Sequence, residues 1–148
     1  MRIVEITRDR FPEWQRMRRE LYGDLSSRFH ETEMELIFSS VDATCFIGLD
    51  DSGAAVAMLE LSLRNFVDGC LGGPVGYLEG IYVAPGQRKR GYGKELTEFA
   101  ASWFRSKGFQ DMAADAELHN LEAQTFLENA GFDETYRIVE YKKSLRKP

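Results

Sequence analysis

Hydrophobic and polar positions along the chain change period several times, and each change marks an element. Residues 2–7 alternate as a strand does, and residues 11–22 then place Trp14, Met17 and Leu21 on one helical stripe with Pro12 near its start. Met34, Ile37, Phe38 and Val41 recur at helical spacing, which predicts a second helix over 32–40. Two apolar runs, 44–49 and 54–63, flank Asp50-Asp51-Ser52-Gly53, where Asp and Gly stand as a hairpin turn requires. A loop over 65–74 with three glycines follows. It leads into a further strand over 77–83.

The second half repeats these alternations. Leu96, Phe99, Ala100, Trp103 and Phe104 share one face of a helix predicted over 92–107, with Gly108 as its stop. Its aromatic residues read as core. A short strand over 112–116 precedes a helix from about Asn120, whose inward face is Ala123, Phe126, Leu127 and Ala130, ended by Gly131. Segments 131–134 and 136–145 read as a closing strand or strand pair. The elements together predict an α/β chain with six or seven strands in a mixed sheet and about four helices. No repeat and no linker-like stretch divides the 148 residues, so one domain over 1–148 is expected.

Composition narrows the function class. No apolar run reaches spanning length and the charged Met1-Arg2-Ile3-Val4-Glu5 start is unlike a signal peptide, so a cytoplasmic protein with no membrane partner is expected. Cys45 and Cys70 form neither a metal signature nor a disulfide framework, and with only His30 and His119 besides, no metal is expected. The net charge is −5. Residues 29–63 contain seven carboxylates and neither Lys nor Arg, and residues 108–136 repeat that balance. Such stretches suit a cationic ligand, and an acidic chain argues against nucleic acid.

The candidate chemistry starts at Arg88-Lys89-Arg90-Gly91-Tyr92-Gly93, between the strand over 77–83 and the helix that follows. Unpaired amides at a helix start, two glycines and three cations make a cradle for a diphosphate. The spacing is not that of a Walker A loop, and Leu96 stands where a dinucleotide fingerprint requires its third glycine. Two carboxylates are isolated in strand-like surroundings: Glu79 is the one charge between Tyr77 and Val83, and Asp115 lies between Ala114 and Ala116. Either could bind an ammonium or take its proton, and residues alone do not rank them. Glu79 could equally be a surface acid and Asp115 a cap before a helix.

Val83-x-Pro85 followed by Arg-x-x-Gly-x-Gly resembles the acetyl-CoA loop of the Gcn5-related N-acetyltransferase superfamily. Further stretches bring the resemblance closer, to the aminoglycoside 6′-N-acetyltransferases: Trp14-x-x-Met17-Arg18-x-x-Leu21, Phe66-Val67-Asp68-Gly69-Cys70, Pro74 to Val83, Met112 to Asn120, and Gly131-Phe132-Asp133-Glu134-Thr135-x-Arg137. The resemblance implies the acyl-CoA N-acyltransferase fold with a mostly antiparallel sheet, acetyl-CoA as co-substrate, and transfer to the 6′-amine of an aminoglycoside, as in antibiotic resistance. It also implies a homodimer. By the same carry-over, the backbone of Ile81, Tyr82 and Val83 and the loop Arg88, Lys89, Arg90, Gly91, Tyr92, Gly93 and Lys94 hold the cofactor. Asn120 stands beside it, and Glu79 and Asp115 are the catalytic residues facing the amine. Leu127 and Ala114 depart from the pattern of relatives, and Leu127 cannot supply a proton to a departing thiolate. The alternatives are acetylation of a polyamine, a small metabolite amine or a protein amine, and an acyl-CoA-binding module without activity.

Overall fold

A computed structural model of the chain describes residues 1–23 and 25–148. Its elements are β1 (Arg2–Glu5), a 3₁₀ turn (Arg8–Arg10), α1 (Phe11–Tyr22), α2 (Ser27–Ser39), β2 (Ala43–Leu49), β3 (Ala55–Arg64), β4 (Val75–Val83), a second 3₁₀ turn (Pro85–Gln87), α3 (Tyr92–Ser106), β5 (Met112–Ala114) and α4 (Leu121–Asn129). They fall into two compact units, Met1–Asp115 and Ala116–Pro148.

In the first unit the five strands lie in chain order, β1-β2-β3-β4-β5. The first three pairings are antiparallel and β4 runs parallel to β5. Asp50 turns the β2–β3 hairpin, its Oδ1 accepting from the amides of Ser52 and Ala54 at 2.9 and 3.0 Å. Alternation, interrupted by a bulge in β4, sorts the two faces of the sheet. Cys45, Ile47, Met58 and Tyr82 meet Trp14, Met17 and Met34 of α1 and α2, whereas Phe46, Leu59, Leu61 and Leu78 meet Leu96, Ala100 and Phe104 of α3. The sheet is therefore buried on both sides.

Helix α2 begins five residues earlier than its apolar spacing predicts. Ser26 caps it by accepting from the amide of Phe29 at 3.2 Å, and His30 is buried in the added turn. The capping signal lay ahead of the apolar stripe, where periodicity cannot see it.

One buried polar network joins α1 to the sheet. Glu60 of β3 is 3% exposed, and its Oε1 accepts from Trp14 Nε1 at 2.7 Å and Arg18 Nη1 at 2.5 Å. Tyr22 donates to Oε2 at 2.8 Å. With every oxygen occupied, the carboxylate is tolerated in an apolar strand. Its neighbour Arg18, 1% exposed, also reaches Glu33 and His30.

The strand register slips once at this level. Glu60 faces Gly80 but Leu61 faces Leu78, so Glu79 is the extra residue of a β-bulge. A bulge turns two successive side chains toward the same face, and Gly80 is the second. A Cβ at Gly80 would strike the Tyr22 hydroxyl.

In the second unit Asn120 caps α4, its Oδ1 accepting from the amide of Ala123 at 3.1 Å. The expected sixth and seventh strands over 131–134 and 136–145 do not form: among the described residues the sheet has five strands, and residues after Gly131 carry no regular structure. Alternation there records which side chains would share a face, not whether a partner strand is present to satisfy the backbone. Where the two strands would meet, Arg137 Nε donates to Glu134 Oε1 at 2.5 Å. Side chains three apart in a strand point to opposite faces, so this pair belongs to a bent backbone.

Candidate active site

Strand β5 ends at Ala114, opposite Leu78, two residues short of its predicted end. Among the described residues, β4 has no strand partner on that edge from Glu79 to Val83, although β3 pairs its other edge throughout. Alternate amides and carbonyls of Glu79, Gly80, Ile81, Tyr82 and Val83 are therefore open to a ligand on a strand buried on both faces. The Tyr82 side chain is turned away, only 4% exposed, with its hydroxyl donating to Glu20. Burial, then that bond, pushes the phenol up to about 12. The Tyr82 backbone faces β3 as well, since Ala84 N, two residues on, donates to Val56 O at 2.8 Å, and Ile81 and Val83 are left on the open edge.

The same strand leads directly into the cationic loop. Arg88 Nε donates back to the Val83 carbonyl at 3.0 Å, tying the loop to the end of β4. Lys89 (φ 60°) and Gly91 (φ 84°) are left-handed, which curls the backbone ahead of α3. Gly91 is the N-cap without a side-chain partner, and the first intrahelical bond runs from Glu95 N to Gly91 O at 3.0 Å. The amides of Tyr92, Gly93 and Lys94 therefore have no acceptor within the helix. With the positive helix end they make an arrangement suited to an anion such as a phosphate. Lys94 itself leans toward Glu98, 3.8 Å away.

The two predicted carboxylates are brought into one connected row. Glu79 accepts from Ser62 Oγ at 2.5 Å and from Arg64 Nε and Nη2 at 3.0 and 2.9 Å. The Arg64 guanidinium carbon lies 3.4 Å from the centre of the Tyr77 ring. Tyr77 in turn donates its hydroxyl to Asp115 Oδ2 at 2.6 Å. Burial, reinforced by the bond to Asp115, raises the Tyr77 phenol well above its ordinary value, so it is a donor at neutral pH. Glu79 has both oxygens engaged by a cation, while Asp115 is exposed just beyond β5.

Ser62, Arg64 and Tyr77 did not stand out from the sequence alone. Their signal is a period of two: Ser62 and Arg64 lie at the end of β3, Tyr77 and Glu79 in the first half of β4, and the antiparallel register pairs Ser62 with Tyr77. Asn120 lies in the second unit with its side-chain oxygen used as a helix cap. Neither cysteine is prepared for nucleophilic work, since burial raises the thiol pKa of both Cys45 and Cys70. Among the described residues no group of side chains has the make-up of a metal site. A separate cleft of about 300 Å³ near Phe38, Asp42 and Trp103 contains none of the predicted site residues.

The chain is similar to known proteins over nearly its whole length. A family model described as acetyltransferase (GNAT) family matches residues 10–132. The aminoglycoside N(6′)-acetyltransferase type 1 of Serratia marcescens is 35% identical over 97% of this chain and 99% of its own length. The crystal structure of an aminoglycoside antibiotic 6′-N-acetyltransferase from Acinetobacter haemolyticus superposes with a TM-score of 0.91 at 32% identity, covering 99% of this chain and 100% of that one. A structure of AAC(6′)-Iy in complex with the bisubstrate analog CoA-S-monomethyl-acetylneamine gives 0.89 at 31% identity, with 97% of each chain covered.

Proposed function

The chain belongs to the acetyltransferase (GNAT) family, and we infer that it transfers the acetyl group of acetyl-CoA to the 6′-amine of an aminoglycoside, inactivating the antibiotic. The observation that carries this reading is the juxtaposition on β4. An unpaired backbone edge runs into the amides ahead of α3, and the carboxylate row of Glu79 and Asp115 begins on the same strand. The first feature fits a pantetheine arm and a diphosphate, and the second fits a polycation. We read residues 1–148 as one N-acetyltransferase domain, since the family match runs from the first compact unit into the second, as far as residue 132.

The roles follow from the geometry. The amides of Ile81 and Val83 and those from Arg88 to Lys94 bind the acyl donor, with Arg88 holding the loop against β4 and Arg90 adding charge. Asn120 orders the start of α4 and keeps its place as a candidate cofactor contact. The acceptor amine arrives protonated and must lose that proton before it attacks. Asp115, exposed and backed by the Tyr77 hydroxyl, accepts the proton, directly or through water. Glu79, saturated by Arg64 and Ser62, forms part of the wall of the acceptor site and leaves the proton to Asp115. An amide on the open β4 edge meets the negative charge that develops on the thioester oxygen. Transfer is direct, with both substrates held together, because neither thiol is activated. Leu127 donates no proton, and a CoA thiol is a tolerable leaving group without one.

A free-thiol assay tests the reading. With acetyl-CoA, the protein should turn over aminoglycosides bearing a 6′-amine and leave those with a 6′-hydroxyl, spermidine and a lysine peptide close to background. Asp115→Asn should lose on the order of a hundredfold or more in kcat/KM, the range for a positioned general base, while keeping its KM for acetyl-CoA. Faster turnover of spermidine or the peptide would replace the acceptor. An unimpaired Asp115→Asn would remove the base.

We also propose a cytoplasmic homodimer. Among the described residues no helix is long and apolar enough to cross a membrane, and acetyl-CoA is an intracellular metabolite. Support for the dimer is the exposure of Ile138, Val139, Tyr141 and Leu145, from 64% to 88%, an apolar series of the kind that self-association covers.

A further inference from the structure

We propose that Arg64 is the positioning residue of the acceptor site: it locks Glu79 and Tyr77 into one rigid wall and thereby directs the reacting ammonium to Asp115. This rests on the acetyltransfer reading given above and adds to it a residue whose role is neither chemistry nor cofactor binding.

The geometry is that of a clamp. Arg64 ends β3 and reaches across to β4, where Nε and Nη2 grip the two oxygens of Glu79 in a fork at 3.0 and 2.9 Å. The carbon of the same guanidinium lies over Tyr77, 3.4 Å from the ring centre. Tyr77 holds Asp115 at 2.6 Å. One cation thus fixes two side chains and, through the second, the orientation of a third. The pair is partly exposed, 42% at Arg64 and 32% at Glu79, so it contributes little to folding. Its consequence falls on the site.

Charge gives the clamp a direction. Glu79 and Asp115 carry two negative charges, and Arg64 neutralises the one at Glu79. An ammonium entering the row then meets net negative charge at Asp115 alone, beside the group that takes its proton. Without Arg64, Glu79 becomes an equally attractive site two side chains away, and an amine bound there is out of reach of its base. Lysine would keep the charge but lose both the fork and the guanidinium over the ring.

Arg64→Ala and Arg64→Lys, assayed beside wild type with a 6′-amine aminoglycoside, test the inference. Arg64→Ala should lower kcat at least tenfold with an acceptor KM unchanged or smaller, the signature of unproductive binding, while KM for acetyl-CoA and Tm stay near wild type. Guanidinium chloride at tens of millimolar should restore part of the kcat, whereas equal sodium chloride should not. Arg64→Lys should fall between. A kcat within twofold of wild type, or a loss that guanidinium does not repair, would overturn the proposal. The crystal structure of Arg64→Ala separates this failure from failure of the acetyltransfer reading: Glu79 should leave its place and the Tyr77–Asp115 bond should open. Retention of both would refute the clamp even if wild type acetylated no aminoglycoside.

Discussion

His30 is fully enclosed, and its Nδ1 accepts from Arg18 Nε at 3.3 Å, so its proton sits on Nε2, which has no partner among the described residues. Burial, then the cations Arg18 and Arg19, hold its pKa below 6.5, and Glu33 and Glu60 oppose that only in part. A depressed histidine binds fewer protons folded than unfolded below about pH 6.5, so stability falls as the pH drops through that value. Thermal unfolding of wild type should show Tm falling from pH 7 to pH 5, and His30→Gln should flatten that part of the curve. Equal slopes in the two proteins would place the acid sensitivity elsewhere. Legibility at this scale followed isolation. Glu79 and Asp115 stood out as single charges in apolar runs. Arg18 and Glu60, far more deeply buried, did not, although Glu60 is also the one charge between Ala54 and Leu63; their pairing across 42 positions is invisible until α1 lies on β3. Arg64 and Tyr77 were hidden for the same reason, one strand register away.

Among the elements, β4 decides the site, and its bulge is the feature periodicity could not supply. Alternation predicted the strand and placed Glu79 within it, but the slip opposite Glu60 and Leu61 is what sets Glu79 beside Gly80 on the face of Ser62 and Arg64. Gly80 is then required by its neighbour, since a methyl group there meets the Tyr22 hydroxyl. Gly80→Ala should cost about 1–3 kcal/mol, the range for overpacking a tight contact. Tyr22→Phe removes the obstructing oxygen while leaving Glu60 with Trp14 and Arg18. The double variant Gly80→Ala with Tyr22→Phe should therefore be more stable than the sum of the single changes, a coupling that urea titration of the four proteins measures. Additive losses would mean that the strand moves rather than the hydroxyl. The cationic loop lies at the other extreme of legibility. Its glycines, cations and following helix are contiguous in sequence, and the structure placed them as read, with Gly91 at φ 84° and α3 starting at Tyr92.

At the scale of the whole molecule, the sequence over-predicted the sheet by its last one or two strands. The segment over 136–145 reads as a closing strand, and in this single chain its apolar residues are exposed: Ile138 by 64%, Val139 by 73%, Tyr141 by 88% and Leu145 by 88%. Both facts agree if the segment is patterned for a surface that one copy does not supply, which is the physical content of the proposed homodimer. Sedimentation should then give about twice the 16.9 kDa chain mass at micromolar protein. Val139→Asp together with Tyr141→Ser should shift the distribution to the monomer, because a charge buried without a partner is costly at an interface. Folding of Met1–Asp115 should persist in that variant, since the two core clusters that hold it together lie wholly within that unit. A monomeric wild type would contradict the proposal. A variant that remained dimeric would move the interface away from the carboxyl-terminal segment.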